Sequence, residues 1–352
     1  MTSRERISRM FEHREADRVP ITDGPWAGTL ARWKKEGMPD NTDWRDYLQV
    51  DKIERIRVDI SPQYEVKIIE ESPDYVIKTT PWGVTMKNFK AADSTPEFLD
   101  YKVKTPDAWE EAKARMTVSR NRIDWDRLKT NYGLWQSEGR WIQALFWFGF
   151  DVLHSWMAGT ETVLVAMLEN PQWFSDMVNT YLDRTIAHYE ILWNEGYHFD
   201  SIYWCDDMGY KNRTFFSEDL YIKLLKPVHR RAIDWAHNHG IKAHLHSCGN
   251  IMNFVPHLVE IGLDALNPIE IKAGMDIKTL KANYGEKLVF HGGTDALILD
   301  KPEKVLPYIE EYVPILKENG GYIFSSDHSI PNTVDLKTYS AIVKTVKKFG
   351  FY

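Results

Sequence analysis

With 352 residues, 43% of them hydrophobic, the chain has enough apolar material for one large α/β domain or two ordinary ones. A formal net charge of -7 argues against nucleic acid or an anionic membrane as the main partner, since both select basic surfaces. Two cysteines exclude a disulfide framework, no apolar run is long enough for a membrane span, and no signal-like segment follows the charged start; a cytoplasmic location is expected.

In chain order, residues 3–13 predict a short amphipathic helix ahead of a first strand, Arg18–Asp23, which ends in Asp23-Gly24-Pro25-Trp26. Residues 27–60 read as helix and loop. From Tyr64 to Lys90, β-rich segments break at Ser72-Pro73-Asp74 and Pro81-Trp82-Gly83, which predicts a β-hairpin insertion over 60–95. A helix opens at Pro106, and the apolar run Trp141–Trp147 predicts a buried strand.

A regular alternation follows. A helix carrying Phe174, Met177, Val178, Tyr181 and Leu192 at helical spacing closes at Gly196. Strands are then expected at Phe199–Cys205, from Ile241, at Ala265–Glu270, at Leu288–His291 and at Tyr322–Ser325, with helices between and a last helix from Asp335 to Phe349. Such alternation means parallel βαβ units. Seven strands over this length predict an α/β fold of the (β/α)8 TIM barrel type, with an N-terminal helical and β-hairpin elaboration, as one domain over 1–352. The eighth strand falls either in 30–60 or between Trp147 and Phe199. No Gly-x-Gly-x-x-Gly follows a strand, so a dinucleotide fold has no support.

Barrel sites occupy the C-terminal strand ends. The densest lies after Ile241, where apolar Ile241, Ala243 and Leu245 alternate with Lys242, His244, His246 and Cys248. His246 and Cys248, two residues apart on one face, can reach one metal ion as nitrogen and sulfur ligands. Other ends present Asp23, Asp206-Asp207, Glu270, His291, Asp295 and Asp327-His328. Of the adjacent aspartates, one faces the pocket and the other turns away, because successive strand residues point to opposite sides. Gly292-Gly293 is expected to let a ligand approach the backbone. These ends contain no arginine, so the pocket is expected to suit a cation, a metal or a neutral ligand. Acid–base work would fall to Asp206, Asp207 and His291. Trp26, Trp147 and Trp204 would suit a flat aryl ether or a methylammonium group.

Asp206-Asp-Met-Gly209, His244-Leu-His-Ser-Cys-Gly-Asn250, Gly262-Leu-Asp-Ala-Leu-Asn-Pro268, His291-Gly-Gly-Thr-Asp295 and His328-Ser-Ile-Pro-Asn332 together resemble the uroporphyrinogen decarboxylase superfamily. The resemblance implies a (β/α)8 barrel and an activity either of porphyrinogen decarboxylation or of cobalamin-linked methyl transfer. True decarboxylases carry a Met-Arg-Gln-Ala-Gly-Arg segment after the first strand to bind substrate carboxylates; here Thr22–Gly28 has no arginine, so uroporphyrinogen is not the expected substrate. His246-Ser-Cys248 is similar to the zinc ligands of the branch that methylates coenzyme M. The third, a cysteine near the last strand, is replaced by Ser325-Ser-Asp-His328, where Asp327 or His328 would substitute. A metal-binding Glu-to-His spacing of ether-cleaving methyltransferases is echoed by Glu270 and His291, although its upstream acid falls on Val255.

The resulting expectation is a methyltransferase that passes a methyl group from a methoxylated or methylated small molecule to a corrinoid (cobalamin) on a partner protein. Metal, zinc above all, would be held by His246, Cys248, Glu270 and Asp327. Substrate would be bound by Asp23, Trp26, Trp147, Trp204, Asp295 and His328. The alternatives are a metal-independent decarboxylase or lyase on a small acid and a non-catalytic ligand-binding barrel; a homodimer is compatible with each.

Overall fold

A computed structural model describes residues 1–90 and 95–352; residues 91–94, inside the expected 60–95 insertion, lie outside the described residues. The strands in chain order are β1 (Ile53–Ile56), β2 (Ile68–Glu71), β3 (Tyr75–Thr79), β4 (Val84–Phe89), β5 (Glu97–Tyr101), β6 (Trp141–Phe146), β7 (Ser201–Cys205), β8 (Gly209–Tyr210), β9 (Arg213–Thr214), β10 (Lys242–His246), β11 (Ala265–Asn267), β12 (Val289–His291) and β13 (Tyr322–Ile323). Seven of them form one parallel sheet in the order β1-β6-β7-β10-β11-β12-β13. Neighbours in that order pair in parallel, as crossover connections require.

The eighth place is taken by the segment around Ile21. Thr22 N–H donates to the Phe324 carbonyl at 3.0 Å and Phe324 N–H to that of Pro20 at 2.9 Å, while Asp51 N–H reaches the Ile21 carbonyl at 2.9 Å. The architecture is thus a TIM-type α/β barrel, and the strand left open by the sequence is β1, within 30–60. The β-rich stretch after it is more than a hairpin: β2-β3-β4-β5 make a four-stranded antiparallel sheet reaching Tyr101.

Alternation along the strands separates two environments. Outward-facing Ile142, Ala144, Phe146, Ile202, Trp204, Ala243, Leu245, Leu266 and Phe290 are buried in the main core. The helix Pro171–Asn194 covers part of it with Phe174, Met177, Val178, Tyr181 and Leu192; Asn170 caps its first turn and Pro171 opens it. Inside the barrel the lower end is apolar. There the helix Ser3–Phe11 inserts Ile7, Met10 and Phe11 among Trp141, Ala265, Val289 and Ile323. Phe11 stacks on Trp141 at 5.2 Å.

Above this plug the interior turns polar. Trp141 Nε1 donates to Ser201 Oγ at 3.0 Å, and the Gln143 amide contacts Ser201 Oγ and His244 Nδ1, each at 3.3 Å. A buried ion cluster fastens the plug from outside: Asp51 accepts from Arg6, from Arg18 Nη1 at 2.8 Å and from Ile21 N–H at 2.8 Å. All three charged side chains are buried. One carboxylate therefore ties the first helix to both strands at the barrel seam.

Candidate functional site

The polar interior opens into a cavity of about 760 Å³ at the C-terminal strand ends. Strand register brings its chemistry together: His246 on β10 pairs with Cys205 on β7 and with Asn267 on β11, so three inward side chains share one level. Beyond the strand ends, Asp207 and Cys248 rise beside His246. Their ligand atoms and that of His246 all lie within 4.8 Å of one another. His246 Nε2 is 3.4 Å from Cys248 Sγ and 3.7 Å from Asp207 Oδ1.

The other ring nitrogen decides what Nε2 can do. The Asn267 amide donates through Nδ2 to the His291 carbonyl at 3.0 Å, which turns Oδ1 towards His246 Nδ1 at 2.6 Å. Tyr203 O–H adds a second donor to that oxygen at 3.2 Å. An amide oxygen only accepts, so the network assigns the imidazole proton to Nδ1 and turns the Nε2 lone pair towards Cys248 and Asp207. That is how a ligating histidine is held.

Sulfur, nitrogen and carboxylate oxygen make a donor set that suits zinc, whose tetrahedral ligand atoms stand about 3.3–3.8 Å apart. Burial raises the Cys248 thiol well above its ordinary range, with Asp207 pushing the same way. Burial also raises Asp207, against the pull of His246. A divalent cation would reverse both effects.

The expected ligands Glu270 and Asp327 are corrected by this geometry. Glu270 Oε2 accepts from Gly249 N–H at 2.5 Å. Asp327 accepts from Ala296 N–H at 2.9 Å and Ile271 N–H at 3.1 Å, one on each oxygen. These carboxylates fix the loops around the cluster rather than joining it; Asp207 takes the third place. Burial lifts Asp327 to about 6.

Asp206 and Asp207 separate as strand alternation requires. Asp206 faces away, fully buried, bonded to His229 Nε2 at 2.8 Å and Asp151 N–H at 2.8 Å. It is therefore withdrawn from the acid–base set. Trp204, on the same outward side, packs between Phe148 and His229 at 5.6 and 5.7 Å and does not reach the cavity. Asp295 caps the short turn Ala296–Ile298 through Leu297 N–H and also lies off the cavity wall.

Asp23, Trp26, Trp147, His291 and His328 do line it. Asp23 spends its oxygens on Ser326 Oγ at 2.7 Å and Tyr339 O–H at 3.0 Å, tying the first strand end to the last. Burial and the nearby Arg55 charge lower His291 to about 3, so it is a neutral group. Its Nε2 meets Thr22 Oγ1 at 2.7 Å, while Nδ1 has no partner among the described residues. The glycine pair serves packing: at Gly292, with φ +119°, a Cβ would collide with the Pro268 carbonyl, not with a ligand.

The expected absence of arginine is overturned. Arg45, Arg55 and Arg57 all line the cavity, the first from the short helix Trp44–Leu48, the second from β1 and the third from the residue after it. Tyr203 and Asn267 were also not singled out, although the alternation that places Cys205 inward places Tyr203 inward too.

The sequence profile of the uroporphyrinogen decarboxylase (URO-D) family matches residues 150–349, the part of the chain that carries β7 to β13 and the cluster. The chain belongs to the uroporphyrinogen decarboxylase family. A methyltransferase from Methanosarcina mazei shares the fold of this family member with a TM-score of 0.68 over 99% of each chain, at 14% identity. Curated proteins yield no significant match. Among the described residues, no helix is long and apolar enough to cross a membrane.

Proposed function

We propose that the protein is a methyltransferase that removes a methyl group from a methoxylated or methylated small molecule and passes it to the corrinoid of a separate protein. The observation that carries this reading is the convergence of Asp207, His246 and Cys248 at the cavity wall. Family membership and the fold shared with a methyltransferase support it.

Breaking an O–CH3 bond leaves both bonding electrons on a poor leaving oxygen, which has to be neutralised by a proton or a Lewis acid. Zinc bound by the three residues would supply the Lewis acid. Asn267 and Tyr203 hold His246 in the ligating tautomer. Trp26 and Trp147 offer aromatic surface for a flat donor. The methyl group departs as a formal cation to the acceptor, and the oxygen takes up one proton.

The test is to mix the protein with a reduced corrinoid protein and a panel of methoxylated and N-methylated compounds. Methylated corrinoid should appear with at least one donor and vanish with Cys248→Ala; none across a broad panel would count decisively against the reading. The raised carboxyl of Asp207 favours one alternative, a metal-free decarboxylase or lyase with Asp207 as its acid. That reading requires activity indifferent to chelators and to Cys248→Ala.

A further inference from the structure

We propose that the substrate is a small carboxylate whose charged end is held by Arg55 and Arg57, with its reacting end turned towards Asp207, His246 and Cys248. The identity of the reacting end rests on the methyl-transfer reading; the charge rests on the guanidinium groups alone.

Strand alternation sets up the pair. Ile53 packs on the apolar plug, so Arg55 and Arg57, two and four residues on, rise along the same inward side to the cavity. Arg55 is half-buried. Its Nε donates to Gln143 Oε1 at 3.3 Å, and its guanidinium lies 4.3 Å from the centroid of the Tyr203 ring. Among the described residues neither Arg55 nor Arg57 has a carboxylate within ion-pair distance. Arg45, on the same wall, is saturated by Asp43 at 2.7 Å and Glu54 at 2.9 Å.

A half-buried guanidinium without a counter-ion is costly unless an anion arrives, and its planar fork matches a carboxylate in two-point contact. Tyr203 connects the two ends: Arg55 sits 4.3 Å from its centroid and the His246 ring 6.1 Å, so charge and cluster lie within one small molecule's length.

A single negative charge fits better than a phosphate dianion, because Asp23, Asp207 and Asp327 line the same cavity. The decarboxylase arginines, by resemblance, follow the first strand; here that segment has none and the positive charge comes from Arg55 on β1 and Arg57 just after it.

Tryptophan-fluorescence titrations with 4-methoxybenzoate, 4-methoxybenzamide and 4-methoxyphenylphosphonate test this. The acid should bind at least tenfold more tightly than the amide or the phosphonate. That preference should disappear in the Arg55→Gln/Arg57→Gln double variant and survive in part in Arg55→Lys, which keeps the charge and guards against misfolding. Equal binding of acid and amide, no binding of any probe, a preference unchanged in the double variant, or tighter phosphonate binding would overturn the proposal. An acid preference without methyl transfer leaves this site standing and removes the methyl-transfer reading. Methyl transfer from neutral ethers as fast as from acids does the reverse.

Discussion

An imidazole ligand has to present a lone pair, and in His246 that depends on what holds the opposite nitrogen. Asn267 does so here. Asn267→Ala should therefore weaken zinc binding about 10–100-fold, the usual effect of losing such a support, as measured by chelator competition; unchanged affinity would remove Asn267 from the account. His291 makes a separate prediction. Folded, it is depressed to about 3; unfolded, it titrates near 6.5. The unfolded chain thus binds the extra proton between those values. The stability contributed by neutral His291 is complete above about pH 6.5 and is lost as pH falls towards about 3. His291→Gln should reduce the slope of unfolding free energy against pH by up to about 1.4 kcal/mol per unit in that window. Urea unfolding at several acidic pH values would show it, and parallel slopes would contradict it. At this scale the sequence exposed His246, Cys248 and the Asp206-Asp207 ambiguity through alternation. It did not separate a carboxylate that faces a ligand from one that accepts backbone N–H groups, which is why Glu270 and Asp327 read as ligands.

Among the elements, β1 was the least legible and has the largest consequence. Ile-Glu-Arg-Ile-Arg lacks the apolar run that marked Trp141–Trp147, because its inward face lines a polar cavity and only Ile56 is fully buried. With that strand unread, Arg55 and Arg57 were missing from the pocket, and its positively charged wall went unseen. The helices were plain from their apolar periodicity, and the Ser3–Phe11 helix was read correctly as amphipathic without any indication that it plugs the barrel. Asp51 fastens this helix to the seam. Asp51→Ala would leave Arg6 and Arg18 buried without that partner, and should lower unfolding free energy by about 3 kcal/mol in denaturant titrations. A loss below about 0.5 kcal/mol would show that Asp17, the other partner of Arg6, suffices.

Across the whole molecule, the barrel interior is graded from an apolar plug below, through hydrogen-bonded Gln143, Ser201 and His244, to ionisable groups at the open end. The grading follows from placing polar or ligand-like residues at most of the strands' C-terminal ends, and those ends were legible because βαβ rhythm locates them. The account depends on the cluster at the top of this gradient binding a metal. Zinc stoichiometry measured by equilibrium dialysis on the wild type, His246→Ala, Cys248→Ser and Glu270→Gln tests it most directly. The prediction is one zinc per chain in the wild type and in Glu270→Gln, and none in the other two. A wild type that takes up no zinc, or one whose zinc is lost with Glu270 and kept without His246, would contradict it.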